Sequence, residues 1–168
     1  MAEQTIVIRI TLPPIPLLAA GQAQAILRQE VGTAMHGIVG DIATEAKLRT
    51  PVFTGILRAA IGTRVTLGTD AGMLVHGEVF TGAQAPYAEY IEEGTRPHFP
   101  PRAPMELWAQ RKLGDARLWF VVARAIARRG TRAYHMFRDA LAQVGPTVQG
   151  RLQSAVDRAA ARIQGGAR

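Results

Sequence analysis

Carboxylates, a guanidinium, an imidazole and two phenols fall together in one stretch, Tyr87-Ala88-Glu89-Tyr90-Ile91-Glu92-Glu93-Gly94-Thr95-Arg96-Pro97-His98. Glu89, Glu92, Glu93 and His98 are the residue types of general acid–base work or of a metal-dependent nuclease. The same stretch also suits a contact surface. Tyr87 and Tyr90, with Ile91, would pack it onto a sheet, while Glu92, Glu93 and Arg96 would pair across an interface. The rest of the chain favours the contact reading. There is no cysteine, which removes disulfides, thiolate catalysis and Cys-based zinc sites. The only serine is Ser154, within a helical pattern, and no Gly-x-Ser-x-Gly frame exists. His36, His76, His98 and His135 include no pair at the i, i+4 spacing of a helical metal site. No glycine run matches a P-loop or a dinucleotide fingerprint. The expectation is a non-enzyme with no catalytic residue, no metal and no other cofactor.

The elements that must carry this stretch follow from periodicity. Residues 4–12 alternate, with Ile6, Ile8, Ile10 and Leu12 on one side, which predicts a half-buried strand ended by Pro13, Pro14 and Pro16. From about Leu17 to Arg49 the spacing becomes helical. Leu27, Val31, Met35, Ile38, Ile42 and Ala46 make one apolar stripe, interrupted by Gly32, Gly37 and Gly40. Those glycines mark a bend or a close approach. Thr50-Pro51 stops the helix, and Thr50 to Arg58 reads as a turn-rich connector. Strands are expected at Ile61–Thr69 and Met73–Thr81, joined by a hairpin at Gly68–Gly72. Residues 82–104, with five prolines, read as a long loop. A short helix is expected over Met105–Leu113, broken at Gly114. A second, capped by Asp115, runs from about Ala116 to Arg129 and stops at Gly130. Trp108, Trp119 and Phe120 look like core or interface anchors. Tyr134–Gln164 is helical again, with a stripe of Phe137, Leu141, Val144, Val148, Leu152, Val156, Ala159 and Ile163 that Gly145-Pro146 should kink or divide. The tail Gly165–Arg168 should fray. The expected fold class is α+β: a small, mostly antiparallel sheet packed by a long N-terminal helix, followed by a C-terminal helical region. One domain would span 1–168, its α+β part about 1–100 and its helical part about 102–164.

Charge is unevenly placed. The chain carries a net +7. Residues 1–84 balance six Lys/Arg against six Asp/Glu, whereas residues 85–168 hold 14 against seven. Arg111, Lys112, Arg117, Arg124, Arg128, Arg129, Arg132 and Arg138 are opposed within their own stretch only by Asp115. Such a block suits a solvated helix face, an acidic protein surface or phosphate. No apolar run approaches the roughly 20 residues of a membrane span, so no membrane partner is expected. Met1-Ala2-Glu3-Gln4-Thr5 lacks the basic start and apolar core of a signal peptide, which suggests a protein made in a cytoplasm.

Two motifs carry a resemblance. Thr50-Pro51-Val52-x-Thr54-Gly55-x-Leu57-Arg58 precedes the two strands, and Pro86-Tyr87-Ala88-x-Tyr90-Ile91-Glu92-x-Gly94-Thr95-Arg96-Pro97-His98 follows them. Together they resemble the minor tail or tail-completion (neck) proteins of long-tailed double-stranded DNA bacteriophages. Ala127-Arg128-Arg129-Gly130-Thr131-Arg132 and Phe137-Arg138-Asp139-Ala140-Leu141 are similar to that family's close. The likeness covers about residues 20–160. Phe53 departs from it, because an Asp is usual there; Phe53 would pack against this molecule or a neighbour. The resemblance implies a structural virion protein at the head-proximal end of a tail or neck. It would complete the tail and help join it to the capsid as part of a ring, commonly a hexamer. Tail terminator and head-tail adaptor are close alternatives, and a basic nucleic-acid-binding module is an alternative of another class. Implied partners are further copies of the chain and other tail and neck proteins, and the basic block could also make non-specific contact with DNA in the lumen. Phe53, Tyr87, Tyr90, Glu92, Arg96 and His98 are the expected contact residues. Because DNA must slide past, the basic block leans towards protein docking or solvation.

Overall fold

The computed structural model describes residues 5–11, 21–68 and 74–165. Strand β1 (Thr5–Thr11) precedes helix α1 (Gln22–Arg49) and a short helix α2 (Ile56–Ala60). Strands β2 (Ile61–Leu67) and β3 (Leu74–Thr81) follow, then helix α3 (Ala88–Glu93). Helix α4 (Arg102–Leu113), a 3-10 turn (Ala116–Leu118), helix α5 (Trp119–Arg129) and helix α6 (Met136–Gly165) complete the chain. The fold is α+β, as the patterning predicts.

The sheet has the order β1-β3-β2 and is antiparallel throughout. Gly77 of β3 pairs with Ile8 on one side and Val65 on the other. Val75, Gly77 and Val79 alternate onto one face and are buried beneath α1. The predicted α1 stripe is that covering face: Leu27, Val31, Met35, Ile38, Ile42 and Ala46 are all buried. A Cβ on Gly77 would lie 2.6 Å from Met35 Sδ and 2.7 Å from Val39 Cγ1, so the bare glycine sets how closely helix and sheet approach. Gly32 and Gly37 likewise receive the side chains of Leu67 and Arg151. They answer to close approach; the helix is continuous across them.

Helix α6 runs antiparallel to α1. Arg151 bonds Asp41 at 2.6 Å, and Arg158 and Arg162 reach Glu30 at 3.2 and 2.6 Å. These surface pairs are screened by solvent and salt and contribute little. The packing rests on Met136, Phe137, Ala140, Val144, Ala155 and Ala159, all buried. The predicted division at Gly145-Pro146 does not occur. Proline removes one amide from the helical ladder, but the carbonyl it would have served belongs to solvent-exposed Ala142, open to water, while Val144 stays anchored in the core. Leu141, placed on the stripe by periodicity, is exposed.

The expected loop over 82–104 is also corrected. It contains α3, and α4 begins at Arg102, because Pro104 lies in a first turn that needs no amide there. Asp115 caps as predicted, accepting from Arg117 N–H at 2.9 Å, but what it caps is the 3-10 turn leading into α5. Gln4, Leu12 and the prolines after it, the hairpin residues 69–72 and the tail 166–168 lie outside the described residues.

Arg162 and Arg158 hold the Glu30 carboxyl below the usual carboxylate range. Its contribution to stability is therefore present above that range and lost as pH falls through the lowered value. Glu30→Gln should flatten acid denaturation on that limb, as read by far-UV circular dichroism. Gly77→Ala should cost about 1–3 kcal/mol in urea denaturation through overpacking. An unchanged midpoint would contradict the glycine's role.

Candidate functional site

The segment after α3 and the segment after α5 share one tripeptide: Gly94-Thr95-Arg96 and Gly130-Thr131-Arg132. The fold lays them against each other in antiparallel register. Thr95 N–H donates to Thr131 O and Thr131 N–H to Thr95 O, both at 3.2 Å, and the two hydroxyls lie 3.0 Å apart. Both glycines have φ near that of a left-handed residue, 73° and 74°. A Cβ at Gly94 would collide with the Thr131 carbonyl, and one at Gly130 with that of Thr95. Glycine is thus required twice by close backbone approach. This clasp closes the base of an excursion, residues 96–130, that carries α4 and α5. Neither of these helices packs extensively along α1, α6 or the sheet. The repeated tripeptide was visible in the sequence, but its pairing over such a separation was not.

Beneath the clasp, α3 is stitched to the start of α6. Tyr134 N–H donates to Ile91 O at 2.9 Å and His135 N–H to Glu92 O at 3.1 Å. The Glu92 carboxylate accepts from Phe137 N–H and Arg138 N–H, each at 3.0 Å, and the residue is only 3% exposed. It serves the first amides of α6, where a negative charge is favourable. Glu92 is therefore not an outward contact residue, contrary to the sequence expectation. Its acceptor capacity is used inside the chain. Ligand atoms of Glu92, Glu93 and His135 lie within 4.8 Å of one another, and His135 Nδ1 is buried without a partner. A divalent cation there would compete with α6 for the Glu92 carboxylate.

The Thr50–Arg58 motif fastens α1 to the same region. Thr50 is buried; its hydroxyl donates to Ala46 O at 2.7 Å and meets Met136 Sδ at 3.3 Å. Arg58 donates to Thr50 O at 3.3 Å. Gly55, at φ 84°, makes the left-handed turn into α2, and Leu57 is buried. Phe53 is half-buried beneath the Arg111 guanidinium, 5.3 Å from its ring centroid, so it packs against its own molecule. Lys112 Nζ donates to Val52 O at 3.1 Å. The motif thus receives the C-terminal end of α4.

Two clefts lie under the excursion. One, of about 1020 Å³, is lined by the clasp arginines Arg96 and Arg132 together with Tyr90, His98, Trp108 and Tyr134. The other, of about 510 Å³, is lined by Pro51 to Leu57 with Tyr87 and Lys112. Ile91, Trp108 and Tyr134 border both. Tyr90 is 59% exposed and Tyr87 is exposed too, so the phenols do not pack the segment onto the sheet as predicted. His98 is exposed and its Nδ1 sits 2.9 Å from Arg96 O.

The basic block separates into two sets. Arg111 and Lys112 are used as described, and Arg117 is fastened to Asp115 at 3.1 Å. Arg124, Arg128, Arg129 and Arg132 are exposed. Among the described residues, no carboxylate comes within ion-pair distance of them or of Arg96. On α4 and α5 the fully buried side chains are only Ala109 and Ala123, while Leu107, Leu113, Phe120 and Val121 are exposed. Phe99, Trp119 and Phe120 form an aromatic cluster with centroids 5.7–6.3 Å apart, and Arg102 lies 5.3 Å from the Trp119 ring.

Comparison with family models, with curated proteins and with solved structures finds no match.

Glu92→Ala should lower stability by about 2–3 kcal/mol, since two charge-assisted bonds to helix amides are lost. Glu93→Ala, at an exposed position, should stay within about 0.5 kcal/mol. Equal effects in urea titrations would contradict the capping role.

Proposed function

We propose that this chain is a structural, self-assembling component of a virion at the head-proximal end of a phage tail or neck, acting without catalysis. The motif order around the two strands supports the placement through the resemblance alone. The observation that carries self-assembly is physical. Two sets of large apolar side chains are exposed on different parts of the molecule. Val52, Ile56 and Tyr87 line the smaller cleft. Phe99, Leu118, Phe120 and Val121 stand on the excursion, with Val121 65% exposed. These side chains are already partly covered, so burying the exposed remainder of one is worth about 1 kcal/mol. The contact they favour sets one copy's excursion into the next copy's cleft, and assembly beyond a dimer makes that contact heterologous rather than a reciprocal two-fold one. Heterologous contacts close into rings when the rotation permits. Tyr87, Tyr90, Arg96 and His98 remain available at such a contact; Glu92 does not.

The test separates this contact from one in which each set meets its own kind, and assembly of wild type beyond a dimer separates it from a reciprocal two-fold pair. Val52→Asp/Ile56→Asp should disable the cleft, and Phe120→Asp/Val121→Asp the excursion, with each variant folded and monomeric in analytical ultracentrifugation. Mixed in equal amounts, they should form a dimer and nothing larger, because one intact cleft meets one intact excursion. Wild-type protein that stays monomeric at high concentration would sink the proposal, as would a mixture that stays monomeric while wild type assembles.

A further inference from the structure

We propose that the end of α4 is a lid over the smaller cleft, hinged at the clasp and latched shut on Val52 and Phe53. Residues 97–129 are built as one unit. Helix α4, the 3-10 turn and α5 pack on one another. The Gln110 side chain ties the end of α4 to that turn, donating to Gly114 O at 3.2 Å and accepting from Ala116 N–H at 3.1 Å. Both connections of the unit leave through the clasp, side by side, which gives it one axis to turn about. A few terminal residues suffice to absorb such a turn. Its other ties are small. Among the described residues, Lys112 Nζ to Val52 O, at 3.1 Å, is the only hydrogen bond from residues 97–129 to any part of the chain beyond the clasp. The Arg111 guanidinium over the Phe53 ring, at 5.3 Å, lies beside it. The ion pairs that these residues make among the described residues stay within the unit.

The two ties sit in the last turn of α4, about 15 Å along the helix from Arg102. There α4 roofs the cleft. The Thr50–Arg58 motif supplies most of the wall, and Trp108 and Lys112 are the two lining residues that come from α4. The space beneath, about 510 Å³, is open, so packing does not hold the end of α4 down. Lys112 is exposed and Phe53 half-buried, and solvent weakens polar and cation–π contacts at such positions. A unit with one axis, a weak latch and open space below it has a second position, lifted off the motif. Lifting it uncovers Val52, Phe53 and Ile56 together. In the self-assembly reading, the lid sets how much of the cleft a neighbour's excursion can enter. The lid itself is a property of one copy and stands without that reading.

The test is a spin-label distance measurement on the full chain, at a concentration where ultracentrifugation finds only monomer. The chain has no cysteine, so two introduced ones are its only label sites. Leu48 on α1 and Leu113 on α4 are exposed and lie outside the latch. L48C/L113C should give one narrow distance distribution. Adding F53L/K112M keeps apolar bulk but removes the ring and the donor, and should add a longer-distance population of about a tenth or more. F53Y keeps a ring under Arg111 and should leave the distribution narrow. L48C/A160C, a pair between α1 and α6, should be unchanged in every variant, which establishes that the body is intact. A broad L48C/L113C distribution without latch substitutions overturns the inference, because nothing then holds the lid. It is also overturned by F53L/K112M that stays narrow, by F53Y that broadens as F53L/K112M does, or by equal broadening of the α1–α6 pair. Because the measurement is made on monomer, its outcome is independent of whether copies assemble.

Discussion

The pairing of Gly94-Thr95-Arg96 with Gly130-Thr131-Arg132 is the constraint on which the rest of the functional surface depends. It joins residues far apart in sequence through two backbone hydrogen bonds and a hydroxyl pair. By closing the chain on itself there, it turns residues 96–130 into a bounded excursion. It also sets where α5 ends and where the turn into α6 begins. The positive-φ His135 and the buried Glu92 cap then deliver α6 to its place beside α1. A substitution at either clasp glycine would disturb the excursion and the α6 start together, because a Cβ would meet backbone that has nowhere to move.

Energetically the molecule has two regions. The α1–α6–sheet region follows ordinary economy, with large apolar side chains inside and paired charges outside. The excursion inverts it. Ala109 and Ala123 are the buried side chains of α4 and α5, while Leu107, Leu113, Phe120 and Val121 are exposed. Such a surface is expensive to leave wet. Its anchors to the body are few: the clasp, Phe53 under Arg111, and Lys112 on the Val52 carbonyl. An element so held can keep its orientation while presenting its outer face to a neighbour.

Periodicity made the α1 stripe legible because helix burial repeats at three and four residues, and every stripe residue named there is buried. The same logic misplaced Leu141; and of the kink or division expected at Gly145-Pro146 the division does not occur, because packing on both sides overrides a local breaker. Residue types made Tyr90, Arg96 and His98 legible as exposed candidates. They could not distinguish Glu92 from Glu93, since burial of one neighbour depends on where α6 begins, a tertiary fact. The basic block looked uniform in sequence. The fold separates it, because Arg111 and Lys112 face the Thr50–Arg58 motif while, among the described residues, no carboxylate lies within ion-pair distance of Arg124, Arg128, Arg129 or Arg132. Phe53, absent from the usual pattern of the resembling family, is accounted for by the Arg111 guanidinium above it.

The central claim is that the excursion of one copy covers the cleft of the next. Hydrogen–deuterium exchange of the wild-type chain across a concentration series addresses it most directly. Segments around Val52–Ile56 and around Leu118–Val121 should gain protection together as concentration rises, while the clasp amides of Thr95 and Thr131 stay as they are in the monomer. Protection that does not change with concentration, or that appears only along α1 and α6, would contradict the account.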